Sequence, residues 1–114
     1  MINHKIIKYI FILKCFFIVI DLEENERVLW QRSASLKIQH KKIAGVIFIT
    51  NMRVAFKPFL NKKLLNLKIE EIKKIEVVKG ILKRIRITAG EKEYLFFTKN
   101  AENIVNLIEK MAGI

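Results

Sequence analysis

The sequence predicts a mainly β domain, about seven short antiparallel strands closed by one C-terminal α-helix. Three observations carry this expectation. Apolar and polar residues alternate with a period of two in several short runs separated by turn signals. The run Gly45-Val-Ile-Phe-Ile-Thr-Asn-Met-Arg-Val-Ala-Phe-Lys-Pro58 reads as two strands meeting at a polar turn. After Lys99 the period changes to that of a helix. The 114 residues allow one domain with a core of its own.

The elements follow in order from Arg27. A first strand covers about 27–38, and Gln39-His-Lys-Lys42 reads as a polar turn. The second strand spans about 43–50. The third spans about 53–58 and ends at Pro58, the single proline. A loop, Phe59-Leu-Asn-Lys-Lys63, leads to a half-buried strand in which Leu65, Leu67 and Ile69 alternate with Asn66, Lys68 and Glu70. Lys73–Lys79 is stopped by Gly80, and Ile81–Thr88 by Ala89-Gly90. In the latter, Arg84 and Arg86 alternate with Ile85 and Ile87, so the arginines point away from the core. The last strand, about 92–98, sets Tyr94 and Phe96 on one face against Leu95 and Phe97 on the other. Ile104, Leu107, Ile108 and Met111 then form the stripe of an amphipathic helix over 101–112. Asn100 is its expected N-cap and Gly113 its expected close. Trp30 is expected to be buried in the core or under the helix.

Residues 1–22 differ from the domain proper, 23–114. Ile6 to Ile20 is apolar apart from Lys8 and Lys14, yet shows neither a helical nor a strand period. Fifteen residues are fewer than the roughly 20 of a comfortable membrane span. Three readings stand: a membrane anchor, an extra packed helix or strand, or an upstream extension. The acidic run 21–26 reads as a solvated boundary. The single cysteine, Cys15, forms no internal disulfide, and reducing conditions are the default.

The formal net charge is +11. Of the 22 Lys and Arg, 14 lie between Lys37 and Arg86, against 3 of the 11 Asp and Glu, so the whole excess sits mid-domain. Such an excess attracts anionic partners. The chain's wealth of Ile, Lys and Asn is the bland source of the same charge.

A bent antiparallel sheet leaves one open corner, and a single terminal helix is the natural plug for it. That arrangement is the pleckstrin-homology-like barrel. The hairpin Gly45-Val-Ile-Phe-Ile-Thr50, Asn51-Met52, Arg53-Val54-Ala55-Phe56 resembles the signature of the GRAM family, a branch of that superfold. Leu67-Lys68-Ile69-Glu70-Glu71-Ile72 stands where the family often has an apolar-Pro-apolar stretch, but lacks the proline. Tyr94-Leu-Phe-Phe97, the helix and Glu24-Asn-Glu-Arg-Val-Leu29 also fit, so the resemblance covers about residues 24–112. Related lipid-binding domains share the Thr-x-x-Arg hairpin. Physically, Gly45 suits a close approach of backbones. Thr50 can hydrogen-bond at the turn, and Arg53 can pair with a carboxylate such as Glu71. These four residues form a structural signature rather than a ligand site.

The resemblance implies ligand contact at the loops of one barrel end. Three basic clusters lie at expected loops: Lys37/Lys41/Lys42, Lys57/Lys62/Lys63 and Lys79/Lys83/Arg84. Candidate lipid-binding residues are Lys37, Lys41, Lys42, Lys57, Lys62, Lys63 and Arg84. Phe59 and Leu60, beside Lys62 and Lys63, are candidate membrane contacts. The alternative is that they fold back on the core and the lysines are only solvated.

No catalytic constellation is present. Ser33 and Ser35 lack a nucleophile-elbow context, and Glu70 and Glu71 would face opposite ways on a strand. His4 and His40 lie without clustered ligands, so no metal or cofactor is expected. Nucleic acid is not an expected partner, because the strand aromatics sit in core-like runs and offer no stacking platform. Two functions remain. One is a non-enzymatic module on anionic, phosphoinositide-like membrane lipid, cytoplasmic and peripheral, with residues 1–22 as an anchor under the first reading. The other is a protein-interaction adaptor that receives an acidic peptide or partner protein at a sheet edge or helix-flanked groove.

Overall fold

The computed structural model describes residues 7–13, 16–60 and 63–114; Cys15 and Lys62 lie outside them. Nine strands and one α-helix make up the described chain. The strands β1 (Ile7–Leu13) and β2 (Phe16–Leu22) form a separate antiparallel hairpin. The others are β3 (Val28–Ile38), β4 (Lys41–Thr50), β5 (Arg53–Pro58), β6 (Leu65–Lys68), β7 (Ile72–Val78), β8 (Arg84–Ala89) and β9 (Lys92–Phe97). They form one antiparallel sheet ordered β6-β5-β4-β3-β9-β8-β7. The helix α1 (Ala101–Ala112) packs against β7 and β8, covering the open corner of this sheet.

Strand period explains the core. Leu36, Ile47, Ile49, Val54, Phe56, Ile85, Ile87 and Phe96 are buried on the inner face, where Ile104 and Ile108 of α1 meet them. Half-buried Trp30 and Tyr94 pack against the same cluster. The outer face of β4 and β5 is buried as well. Val46, Phe48 and Ala55 form a second core with Ile18, Ile20 and Leu22 of β2, and Tyr9 and Phe11 of β1 pack against it. The N-terminal hairpin is therefore a packed layer on the sheet. Its inward residues account for the apolar bulk of the run. Ile10 and Ile12 on its outer side stay exposed, which removes the strand alternation from the sequence. Among the described residues no helix is long and apolar enough to cross a membrane.

Local chemistry shifts several boundaries. The β3–β4 turn is Gln39-His40, with Gln39 in the left-handed region at φ 55°, so Lys41 and Lys42 belong to β4. Residues 69–71 form a 3-10 turn rather than the end of a strand. Ile81, Leu82 and Lys83 form a loop, and β8 starts only at Arg84. Asn100 occupies the N-cap position but is itself left-handed, φ 57°, and makes no side-chain cap. Gly113 closes the helix at φ 73°, its N–H donating to the Glu109 carbonyl.

Gly45 lies opposite Pro58 in the β4–β5 ladder. A Cβ there would sit 2.8 Å from Pro58 Cα and from Phe56 Cζ, and closer still to the Lys57 carbonyl oxygen. Backbone cannot yield as a flexible side-chain tip can. Gly45→Ala therefore lowers stability by about 1–3 kcal/mol, the usual cost of overpacking a tight site. Urea denaturation checks this, and an unchanged midpoint would show that the strands separate without cost.

Candidate anion-binding surface

The recognisable hairpin residues form a buried polar node. The Thr50 hydroxyl accepts the N–H groups of Met52 and Arg53, at 3.1 and 3.0 Å, and donates to Glu26 Oε2 at 2.6 Å. Arg53 Nε donates to the same carboxylate oxygen at 2.8 Å. The guanidinium also reaches Asn66 Oδ1 and the Asp21 carbonyl. Asn51 binds the same segment, accepting from the Arg27 N–H at 2.8 Å and donating to the Asn25 carbonyl at 2.9 Å. The carboxylate that Arg53 meets is thus Glu26 and not Glu71, which is exposed in the 3-10 turn. The chain path brings residues 21–27 under the hairpin, so Glu26 is buried and not part of a solvated boundary. Burial pushes the Glu26 carboxyl up. Hydrogen bonds from Arg53, Thr50 and the Glu23 N–H, with the charge of Arg53, outweigh burial and hold it below the ordinary range.

The basic residues converge elsewhere. On the outer face, Lys37 pairs with Lys42 across β3 and β4 and with Leu95 across β3 and β9. Lys42 Nζ lies 4.0 Å from the Phe97 ring centroid, and the Arg84 guanidinium lies 5.8 Å from it. Three sequence candidates, Lys37, Lys42 and Arg84, therefore gather on one side of the sheet. Lys41, one residue from Lys42, falls on the alternate face of the strand. Lys57 pairs with Val46 beside the second core, and Lys63 is exposed beyond β5. Phe59 is half-buried against the second core, so it is not a bare membrane contact; Leu60 next to it is 95% exposed.

A groove of about 760 Å³ opens beside this cluster. Ser35, Ala44 and Phe97, which are neighbours across the ladders, line it together with Phe59, Ile81, Leu82 and Lys83. Arg32, Ser33, Thr98, Lys99 and Asn100 complete its polar lining. Two buried guanidinium atoms, Arg32 Nε and Arg84 Nε, have no hydrogen-bond partner among the described residues. One carboxylate stands near: Glu102 accepts from Lys83 Nζ at 2.6 Å. The cations Arg32, Lys83 and Lys99 thus outnumber this carboxylate, a composition suited to an anion. A groove of about 850 Å³ at the Thr50 end of β4 differs, since Asp21, Glu23, Glu26 and Glu70 outnumber Arg53 and Lys68 in its lining.

Sequence reasoning missed Arg32, Thr98, Lys99 and the exposed pair Ile81-Leu82. Gly80 followed by two aliphatic residues between Lys79 and Lys83 was the available signal for a loop tip. Arg32 carried none, because β3 meets β9 only over residues 35–37. That geometry leaves the earlier part of β3 to border the groove.

The chain matches no known family profile, and no curated protein matches it in sequence. Solved structures do match in fold. The crystal structure of the C-terminal domain of an unknown protein from Leishmania infantum aligns with a TM-score of 0.69 at 17% identity, covering 80% of this chain and 88% of that one. The Vps36 N-terminal PH domain aligns at 0.62 and 17% identity, over 81% and 83%. The linker-DH/PH domains of p115-RhoGEF, N-terminally truncated, align at 0.57 and 11% identity, over 78% of this chain and 30% of that one. The bent seven-stranded sheet with its C-terminal helix is a pleckstrin-homology-like fold.

Proposed function

We propose that this protein is a non-enzymatic binding module that associates with anionic membrane lipid. The observation that carries the reading is the meeting of Lys42 and Arg84 on the Phe97 ring, with Lys37 paired to Lys42, beside a groove lined by Arg32, Lys83 and Lys99. Phosphorylated headgroups need several converging donors, and this surface supplies both ammonium and guanidinium groups. The N-terminal hairpin covers the outer face at Val46, Phe48 and Ala55, while Lys37 and Lys42 stay exposed. The GRAM-like hairpin supports a lipid-directed member of the fold, with its signature residues serving the scaffold.

Lys37 and Lys42 are exposed, so their charge can be reversed with little effect on folding. The double variant Lys37→Glu, Lys42→Glu sediments with phosphatidylserine-containing vesicles at least about 30-fold more weakly than the wild type, from roughly 1 kcal/mol per lysine near an anionic surface. Wild-type binding falls with added salt and is negligible on phosphatidylcholine alone. Equal binding by wild type and variant would sink the assignment of this face.

A further inference from the structure

We propose that Ile81 and Leu82, with Leu60 across the groove, form a hydrophobic wedge that enters the interfacial zone of an anionic bilayer. This rests on the lipid-binding reading and adds which residues penetrate the lipid. Ile81 is fully exposed, Leu82 is 59% exposed and Leu60 is 95% exposed. Single bare aliphatics are ordinary on a protein surface. These three stand on two loops that border one cationic groove, as Phe59, Ile81 and Leu82 all line it.

In both loops a braced residue stands beside exposed aliphatic ones. Phe59 packs on the second core and its N–H donates to the Ala44 carbonyl at 3.1 Å, which holds Leu60 at the rim. Lys83 is tied to Glu102 of α1, and a terminal nitrogen of Arg84 lies against Gly80. The tip between them, Ile81-Leu82, is flanked by exposed Lys79 and Lys83. Aliphatic tips between lysines match the interfacial zone, where acyl chains begin just below anionic headgroups. Two projecting tips separated by a groove require a partner that conforms to both. A fluid bilayer does so, and it brings headgroup anions to Arg32, Lys83 and Lys99 in the same contact.

The test uses the full chain with vesicles of phosphatidylcholine and phosphatidylserine. The double variant Ile81→Ser, Leu82→Ser binds about 100-fold more weakly, on the order of tenfold per aliphatic side chain removed. Its circular dichroism and melting temperature stay unchanged, because neither residue belongs to a core. In a Cys15→Ser background, Ile81→Cys carrying an environment-sensitive fluorophore shifts its emission to the blue on acidic vesicles and is quenched by spin-labelled lipid. Wild-type binding with an unaffected double variant, or with a label that stays in water, overturns the wedge and leaves the lipid-binding reading standing. Failure of the wild type to bind removes both. A stoichiometric protein complex in detergent that the double variant abolishes, with vesicle binding unaltered, would assign the tips to a protein partner.

Discussion

Phe48→Ala lowers the stability of the domain by about 3 to 5 kcal/mol, the range for truncating a buried phenylalanine, and releases the N-terminal hairpin from the sheet. Phe48 is fully buried on the outer face of β4. Tyr9 and Phe11 approach it edge-on, with centroids 6.0 and 6.1 Å away and interplanar angles of 85° and 86°. Both Tyr9 and Phe11 of β1 meet this ring, so its loss leaves a cavity shared by two layers. Hydrogen bonds add to this packing: Tyr9 Oη donates to Gln31 Oε1 at 2.7 Å, and Arg53 donates to the Asp21 carbonyl. Hydrogen exchange distinguishes this from a uniform loss. Amides of β1 and β2 lose protection further than those of β7–β9, whose packing partners lie on the inner face. A loss below about 1 kcal/mol, small against a typical total of 5–15 kcal/mol, would mean that the hairpin does not depend on this contact.

Glu26→Ala costs about 3 to 5 kcal/mol at neutral pH, as expected when one partner of a buried ion pair is removed and the other is left without its counter-charge. The pair is well shielded, with side-chain exposures of 15% for Arg53 and 1% for Glu26. The change also deprives the Thr50 hydroxyl and the Glu23 N–H of their acceptor. The same carboxylate makes stability depend on pH. Its folded-state pKa lies below the ordinary 4.5, so its contribution is fully present above that value. It is lost as pH falls through the lower folded-state value. Denaturation measured from neutral pH downwards shows this acid-side loss in the wild type and a smaller loss in Glu26→Gln. An identical acid limb in both would place the sensitive group elsewhere.

Much of the scaffold was legible residue by residue. Alternation at Arg84–Ile87 assigned the faces of β8, and the stripe Ile104, Leu107, Ile108, Met111 assigned the helix. Gly45 announced a close approach because glycine alone among the amino acids lacks a Cβ. The candidate site was only half legible. Lys37, Lys42 and Arg84 could be named from charge and turn position. Their gathering on one side of the sheet depends on β3 pairing with β9, some sixty residues later in the chain. Ile81-Leu82 looked like the start of a strand, because two aliphatic residues before Arg84 satisfy the local pattern whether or not they are paired.

The amino-acid pattern by itself determined the bent antiparallel sheet, its C-terminal helix and the mid-domain concentration of positive charge. Each of these is recorded in spacings of two to four residues or in composition. Tertiary structure alone decided three things: that β4 is covered on both faces, that Arg53 closes on Glu26, and that Arg32, Lys83 and Lys99 share a groove with Ile81 and Leu82. The continuous apolar run Val46–Ile49 was the trace of the first, since a strand buried on both sides loses its alternation. The second and third had no trace. Several carboxylates were chemically equivalent partners for Arg53. Only the path of the chain sets which one shares its buried space, and only that path sets which loops stand side by side.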